Sequence, residues 1–383
     1  MRIVYCINSL GIYGGIERTT VMKANALSLL PDNKIWILCL RDGGTSVYRL
    51  LPSVKVIDIG VSYSMSKKGP SSLIGLFKGK RQHKKRLHSL LSQICPDVVV
   101  STDNLERSFL ATIPGHWVSV REIHEIPYFR IKKSETLYEK LIATISTYFD
   151  YYLACKRYDQ VVLLSDFAKE MSPWDNACVI PNPVSFCGVE SNLDAPRIVT
   201  IGRLSKEKNF SALIRAFQIV ARRFPDWHLD IFGEGDQRQM LSRLICDMNL
   251  SKNVHLHNGE RDVQKVLLSA SIYAQSSVFE SFGIALVEAM GCGLPVVSFD
   301  CPIGPKSIIQ DGVDGFLVAL EDERSLADKI CLLIENVSLR KQMGANAIKK
   351  AKLFEINRIV SLWMMLFVKL VSDKTEKPFS NNA

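Results

Sequence analysis

Short apolar runs recur along this chain, each bounded by glycine, asparagine or charged residues, with stretches of helical periodicity between them. In the first half they occupy residues 2–7, 35–40, 54–59, 98–101, 117–120 and 160–164. Strands that are apolar almost throughout, and that alternate with helices, predict a parallel sheet covered on both faces; a strand with one wet face would alternate apolar and polar positions. The pattern then restarts. Residues 197–201, 228–232, 254–256, 272–275 and 295–299 read as strands of a second such sheet, with helices over 210–223, 237–248, 263–269 and 284–290. Between the halves, Ile180-Pro181-Asn182-Pro183-Val184 and a weakly apolar stretch to Pro196 read as a linker. A last amphipathic stretch, 354–371, carries Trp363.

Composition agrees with this division. A chain of 383 residues is long enough for two domains, and 47% apolar with 23% charged residues describes a globular protein and excludes a disordered one. The ten cysteines are scattered without Cys-x-x-Cys pairs, and Cys6, Cys39 and Cys292 lie inside apolar runs, as small buried hydrophobes of a reducing cytoplasm would. The chain opens directly into a strand pattern, without the features of a secretory leader. Residues 362–371 are apolar but contain Lys369 and are too short to cross a membrane, so no transmembrane segment is expected.

The net charge of +9 is concentrated. Residues 59–96 hold Lys67, Lys68, Lys78, Lys80, Arg81, Lys84, Lys85 and Arg86 and no acidic residue. Such a run suits nucleic acid, an anionic lipid surface or a polyanionic substrate, or is a solvated face. Phe77 is the one phenylalanine, tyrosine or tryptophan between the charges, with Tyr63 ahead of them, which argues against base stacking.

The most informative chemistry lies between Glu280 and Glu288. Gly283 precedes the predicted helix 284–290, whose free N–H groups and dipole would attract an anion, and glycine lets the backbone approach a ligand closely. Two carboxylates beside a phosphate are not phosphate ligands; hydroxyl groups are their natural donors. Phosphate plus hydroxyls suggests a nucleotide sugar. Many enzymes that use such donors offset the diphosphate charge with a metal held by Asp-x-Asp, which this chain lacks. Gly202-Arg203-Leu204-Ser205-Lys206-Glu207-Lys208 supplies a substitute at a strand end, a guanidinium fork in Arg203 and a mobile point charge in Lys208. Phe232-Gly233-Glu234-Gly235-Asp236 is a second glycine-rich strand end, and Gly11-Ile12-Tyr13-Gly14-Gly15-Ile16-Glu17-Arg18 a third, neither with Gly-x-Gly-x-x-Gly spacing.

These residues resemble the Glu-x7-Glu signature of glycosyltransferase family 4, from about residue 197 to 320 with motifs in order and more weakly in the first half. The resemblance implies an α/β GT-B fold: two doubly wound Rossmann-like parallel-sheet domains facing a cleft, with a C-terminal helix crossing back to the N-terminal domain. The expected parts are an acceptor-side domain over 1–180, a nucleotide-sugar domain over 181–352, a returning helix over 353–372 and a tail over 373–383.

The resemblance also implies roles. Glu288 would hold the ribose, Glu280 would face the transferred sugar, and backbone N–H groups near Phe282, Gly283 and Ile284 would meet the phosphates. Gly14 and Gly15 would lie beside donor phosphate and acceptor, Gly233 would shape the nucleotide pocket, and His124 would contact the donor sugar. Glu125 departs from the family's usual aspartate or asparagine after that histidine. The run from Phe299 to Lys306 and on to Val318 resembles members that build capsule, O-antigen and glycan precursors. The expectation is therefore a retaining hexosyltransferase that needs no metal or other cofactor and takes a nucleoside-diphosphate sugar, UDP-hexose by family habit. Its acceptor would be a glycan or a polyprenyl-diphosphate-linked oligosaccharide at the inner face of the cytoplasmic membrane, with Lys78, Lys80, Arg81, Lys84, Lys85 and Arg86 meeting the anionic surface or the acceptor; nucleic acid is not an expected partner. The alternatives are a nucleotide-sugar epimerase of similar fold and a nucleic-acid-binding protein.

Overall fold

The computed structural model describes residues 1–41, 45–61, 63, 70–102, 105–124, 136, 140–141, 144–145, 148–149, 155–186, 188–260 and 262–376, with the backbone alone for 70–74 and 76. Lys67, Lys68 and Glu125, singled out above, lie outside the described residues, as do the side chains of Leu73, Ile74 and Leu76. The chain forms two compact units, Met1–Pro183 with Ile356–Ala383, and Val184–Glu355.

The first unit is built on a parallel seven-stranded sheet in the order β3-β2-β1-β4-β5-β6-β7: β1 (Arg2–Ile7), β2 (Lys34–Cys39), β3 (Val54–Asp58), β4 (Val98–Ser101), β5 (Val118–Glu122), β6 (Gln160–Leu163) and β7 (Ala177–Val179). Successive side chains of a strand point to opposite faces, and here both faces are buried. Ile3, Tyr5 and Ile7 pack with Val21, Ala24 and Leu27 of α1 (Gly15–Ser28). Val4 and Cys6 pack on the other side with Leu87 and Leu91 of α2 (Pro70–Ile94). That double burial is why the strands read as unbroken apolar runs.

The second unit holds a parallel six-stranded sheet in the order β10-β9-β8-β11-β12-β13: β8 (Arg197–Ile201), β9 (His228–Phe232), β10 (Val254–His257), β11 (Ile272–Gln275), β12 (Val296–Phe299) and β13 (Gly315–Val318). Its helices are α4 (Phe210–Arg223), α5 (Arg238–Asp247), α6 (Val263–Leu268), α7 (Ile284–Gly291), α8 (Gly304–Ile308), α9 (Glu323–Glu335) and α10 (Val337–Ala351); α3 (Asp166–Glu170) belongs to the first unit. In both sheets the order reverses between two neighbouring strands, β1 and β4 in one and β8 and β11 in the other. The loops at the carboxyl ends of such strands diverge and leave room for ligands.

The expected pair of doubly wound sheets is present, and so is the returning helix. In α11 (Ile356–Glu376), Ile359, Val360, Trp363 and Phe367 recur at helical spacing and enter the core of the first sheet beside Ile3 and Tyr5. Two short edge strands, β7 and β13, have no counterpart in the apolar runs read from the sequence. The stretch read as a linker is tied down: Asn182 and Val184 are buried, and the Val184 N–H donates to the Phe354 carbonyl at 2.8 Å. Among the described residues no helix is long and apolar enough to cross a membrane.

Candidate functional site

In the second unit, β8 and β11 are neighbours, paired Ile198 to Ile272 and Val199 to Tyr273. The loops that follow them therefore run side by side. Lys206–Lys208 forms a single 3-10 turn, and Asn209, left-handed at φ 46°, starts α4. The turn is fastened to the β11 loop twice: Val278 N–H donates to the Glu207 carbonyl at 2.9 Å, and Ser276 Oγ to the Lys208 carbonyl at 2.9 Å. So placed, Lys208 Nζ forms an ion pair with Glu280 Oε2, which also accepts from Ser277 Oγ at 3.3 Å. Arg203 is exposed and its side chain makes no hydrogen bond or ion pair among the described residues, whereas Leu204 beside it is buried. The two cations expected to act together are thus unlike: one is held on a carboxylate, the other faces solvent.

Glu280 is also fixed through its backbone. It bridges to Ile303, and the Gly304 N–H donates to the Glu280 carbonyl at 3.0 Å. Gly304 is required by this approach, since a Cβ there would stand 2.7 Å from the Phe282 carbonyl oxygen and 2.9 Å from that of Glu280. Ile303 adopts φ 94° and ψ −73°, a conformation strained for a β-branched residue. Neither residue was singled out from the sequence, although glycine amid apolar residues was a signal.

Gly283 caps α7 at φ 98°, where a Cβ would be strained, and no side chain caps this end. The N–H groups of the first turn therefore have no side-chain cap and retain the capacity to hold an anion. Phe282 is buried, edge-on to Phe354 at 5.5 Å between ring centres. Glu288, one turn into α7, is buried. Tyr273 of β11 is a further group missed from the sequence: its phenol is pushed up by burial first and then by the nearby charge of Glu280, with Glu288 adding less. Cys301 lies in the same field and is raised to about 12 by burial and by Glu280.

Gly233 and Gly235 serve the same architecture. A Cβ on Gly233 would collide with the Gly202 carbonyl, and one on Gly235 with the Leu204 carbonyl. Leu204 N–H donates to the Glu234 carbonyl at 2.8 Å, so the glycine loop braces the loop that carries Arg203 and Lys208. His257 stacks on Phe232, ring centres 4.3 Å apart, and its Nε2 lies 2.5 Å from Asp230 Oδ1.

In the first unit, Gly14 precedes α1 and exchanges two hydrogen bonds with the Tyr48 hydroxyl, at 3.1 and 3.2 Å. A Cβ on Gly14 would collide with the Glu17 carboxylate, which is folded back over the start of α1 where Gly15 stands. His124 is buried just beyond β5, its Nε2 3.4 Å from Glu122 Oε1, which is also ion-paired with the enclosed Lys23.

The six basic residues of α2 divide. Arg86 donates to the Ile59 and Gly60 carbonyls, Lys84 Nζ to Thr112 Oγ1 at 2.8 Å, and Lys80 lies over the Phe109 ring at 6.0 Å. Lys78, Arg81 and Lys85 are exposed. The opposite face buries His83, Leu87 and Leu91.

Residues 188–350 match the model of the family described as Glycosyl transferases group 1. A chain of Haemophilus influenzae named as an uncharacterized glycosyltransferase is 25% identical over 368 residues, covering 94% of this chain and 98% of that one. Over 158 residues, 41% of this chain and 42% of the relative, the identity is 34% to an N-acetylgalactosamine-N,N'-diacetylbacillosaminyl-diphospho-undecaprenol 4-alpha-N-acetylgalactosaminyltransferase of Campylobacter jejuni. The crystal structure of Anabaena HepE in complex with UDP superposes with a TM-score of 0.74 at 17% identity, covering 96% of this chain and all of that one. That likeness establishes the GT-B fold, and the matching family and the named relatives are glycosyltransferases.

Proposed function

We propose that this glycosyltransferase moves a hexose-type sugar from a uridine-diphosphate carrier to a hydroxyl of a glycan or lipid-linked oligosaccharide, with retention at the anomeric carbon and without a metal ion. The observation that carries the reading is the Lys208–Glu280 ion pair on adjacent loops, next to the uncapped start of α7. An ammonium and a helix N-terminus offset a departing diphosphate, and a carboxylate beside them accepts sugar hydroxyls. Arg203 adds a second cation, Glu288 is assigned to the ribose, and the backbone from Phe282 to Ile284 to the phosphates. Gly14, Gly15 and His124 of the first unit are assigned to donor phosphate and sugar.

In the proposed step the bond from the anomeric carbon to the phosphate oxygen breaks, and its electron pair leaves with the diphosphate. The acceptor oxygen attacks the same face of the sugar, and its proton passes to the leaving phosphate. Glu280 then has no covalent role; it holds the sugar and Lys208. The Campylobacter jejuni relative's name includes a diphospho-undecaprenol acceptor, which supports a lipid-linked acceptor here and a peripheral site at an anionic membrane for the basic face of α2.

The test is a screen of nucleotide sugars with a polyprenyl-diphosphate-linked oligosaccharide, read as nucleoside diphosphate released and product mass. Donor-dependent, acceptor-dependent release with a mass gain of one hexose is expected. Turnover of a donor to its epimer without acceptor would overturn the reading.

A further inference from the structure

Beyond β5 the first unit buries three ionisable side chains together. Lys23 of α1 is wholly enclosed and lies over the Trp363 ring at 4.8 Å and the Tyr5 ring at 5.6 Å. It pairs with Glu122 Oε1, the same oxygen that stands 3.4 Å from His124 Nε2. Among the described residues, Glu122 Oε2 and His124 Nε2 make no hydrogen bond. Buried polar atoms are rarely left so.

Stability of the fold gives little reason for the pair. Desolvating two charges offsets most of their attraction, and an apolar pair of similar volume is often as stable or more. What the pair does do is electrostatic. Burial alone would push the Glu122 carboxyl up, but Lys23, and then His124, hold it down at about 2. Glu122 therefore stays an anion beside the imidazole, and an anion facing one ring nitrogen decides which nitrogen carries the proton.

We propose that Lys23 and Glu122 are positioning residues: Lys23 holds Glu122 in place, and Glu122 fixes the His124 ring with the proton on Nε2, leaving Nδ1 to accept a hydroxyl of the transferred sugar. The assignment rests on the reading of His124 as a sugar contact. The groups that set the ring's state among the described residues are Glu122 of β5, Lys23 of α1 behind it, and the phenol of Tyr5 in β1, itself raised well above its ordinary range by burial and by Glu122.

Single substitutions would strand a buried charge and threaten folding, so the test replaces both partners, Lys23→Met with Glu122→Leu, in the full chain. The first readout needs no substrate: nitrogen-15 shifts of the labelled His124 imidazole at high pH. The expected result is an Nε2–H ring in the wild type and a mixture of tautomers in the double variant, with a melting temperature no lower than the wild type's. The second is turnover of the donor on which the wild type releases most UDP, expected to fall about ten- to a hundredfold as a sugar contact loses its geometry, with donor KM changed much less. A double variant with wild-type ring shifts and wild-type kcat would overturn the proposal. His124→Ala separates it from the reading beneath: full turnover in that variant sinks the sugar contact, whereas the ring shifts still decide whether Glu122 sets the tautomer.

Discussion

Lys208 Nζ rests on Glu280 Oε2 across 72 positions of sequence. The contact exists because β8 and β11 are adjacent where the strand order reverses, so their carboxyl-end loops lie side by side. Both side chains keep partial exposure, 24% and 16%. The pair is therefore held in place without being sealed, as a site that must open to a charged ligand requires.

Replacing Lys208 by Ala is expected to lower turnover by about 10²–10³, the usual cost of removing a group that stabilises charge in the transition state. If Arg203, Lys208 and the start of α7 offset the diphosphate charge together, activity should persist in excess chelator. Activity abolished by chelation and restored by Mg²⁺ or Mn²⁺ would contradict this.

The two carboxylates should differ kinetically. Glu280 borders the cation and the helix start, whereas Glu288 is buried one turn into α7. Glu280→Gln should lower kcat with donor bound, and Glu288→Gln should chiefly raise the donor KM. Initial rates over a donor series separate the two; equal profiles would remove the division of roles.

Gly304→Ala tests the backbone support. The added methyl would meet two carbonyl oxygens at 2.7 and 2.9 Å, so the Glu280 loop must shift. A loss of about 1–3 kcal/mol in stability and a lower kcat are expected. Urea melts and rates on the same preparation check both; an unchanged kcat would show that the Gly304 contact does not position Glu280.

Much of this was legible in the sequence because periodicity and composition carry it. Ile3, Tyr5 and Ile7 face one layer and Val4 and Cys6 the other, which is why a short unbroken apolar run between helical stretches read as a strand buried on both sides. The edge strands Ala177–Val179 and Gly315–Val318 were not: the first is three residues long and runs into the stretch read as a linker, and the second opens on a glycine, a residue that weakens a strand pattern. The stretch read as a linker does hold the break between the two units, at Pro183 and Val184; what Pro181 and Pro183 could not show is that Val184 is pinned by Phe354. Motif spacing placed Glu280 and Lys208 in one site, but it could not show that they pair, nor that Gly233 and Gly235 are there to clear the Gly202 and Leu204 carbonyls. Those are facts of through-space packing.

His83 predicts a pH dependence of stability. It is buried between Tyr63 and Phe109, and burial lowers its pKa from 6.5 to about 4. Between those values the unfolded chain binds a proton that the folded one does not. The His83 contribution is thus fully present above pH 6.5 and is lost as pH falls toward 4, with a slope of at most about 1.4 kcal/mol per pH unit. Denaturant melts at pH 7.5 and 5 should show a larger drop for the wild type than for His83→Phe; equal drops would contradict the assignment.

The basic face of α2 yields the last prediction, and the structure changes which residues to alter. Arg86, Lys84 and Lys80 have partners inside the unit, so removing them would confound lost stability with lost binding. Lys78, Arg81 and Lys85 are exposed, and Phe77 beside them is 69% exposed. Cations that meet anionic headgroups next to an aromatic ring that can enter the interface make a peripheral anchor, each charge contributing up to about 1 kcal/mol. The attraction is screened over roughly 8 Å at physiological salt. Binding to vesicles rich in anionic lipid should therefore weaken steeply as salt rises and should fall when Lys78, Arg81 and Lys85 are changed together to Ser, with the melting temperature unchanged. Glycosylation of a water-soluble acceptor should survive in that variant if the face only anchors the enzyme, and should fail if the same charges hold an acceptor diphosphate. Co-sedimentation decides the first point: equal binding of wild type and variant to anionic and to neutral vesicles would leave α2 a solvated helix with no lipid to meet.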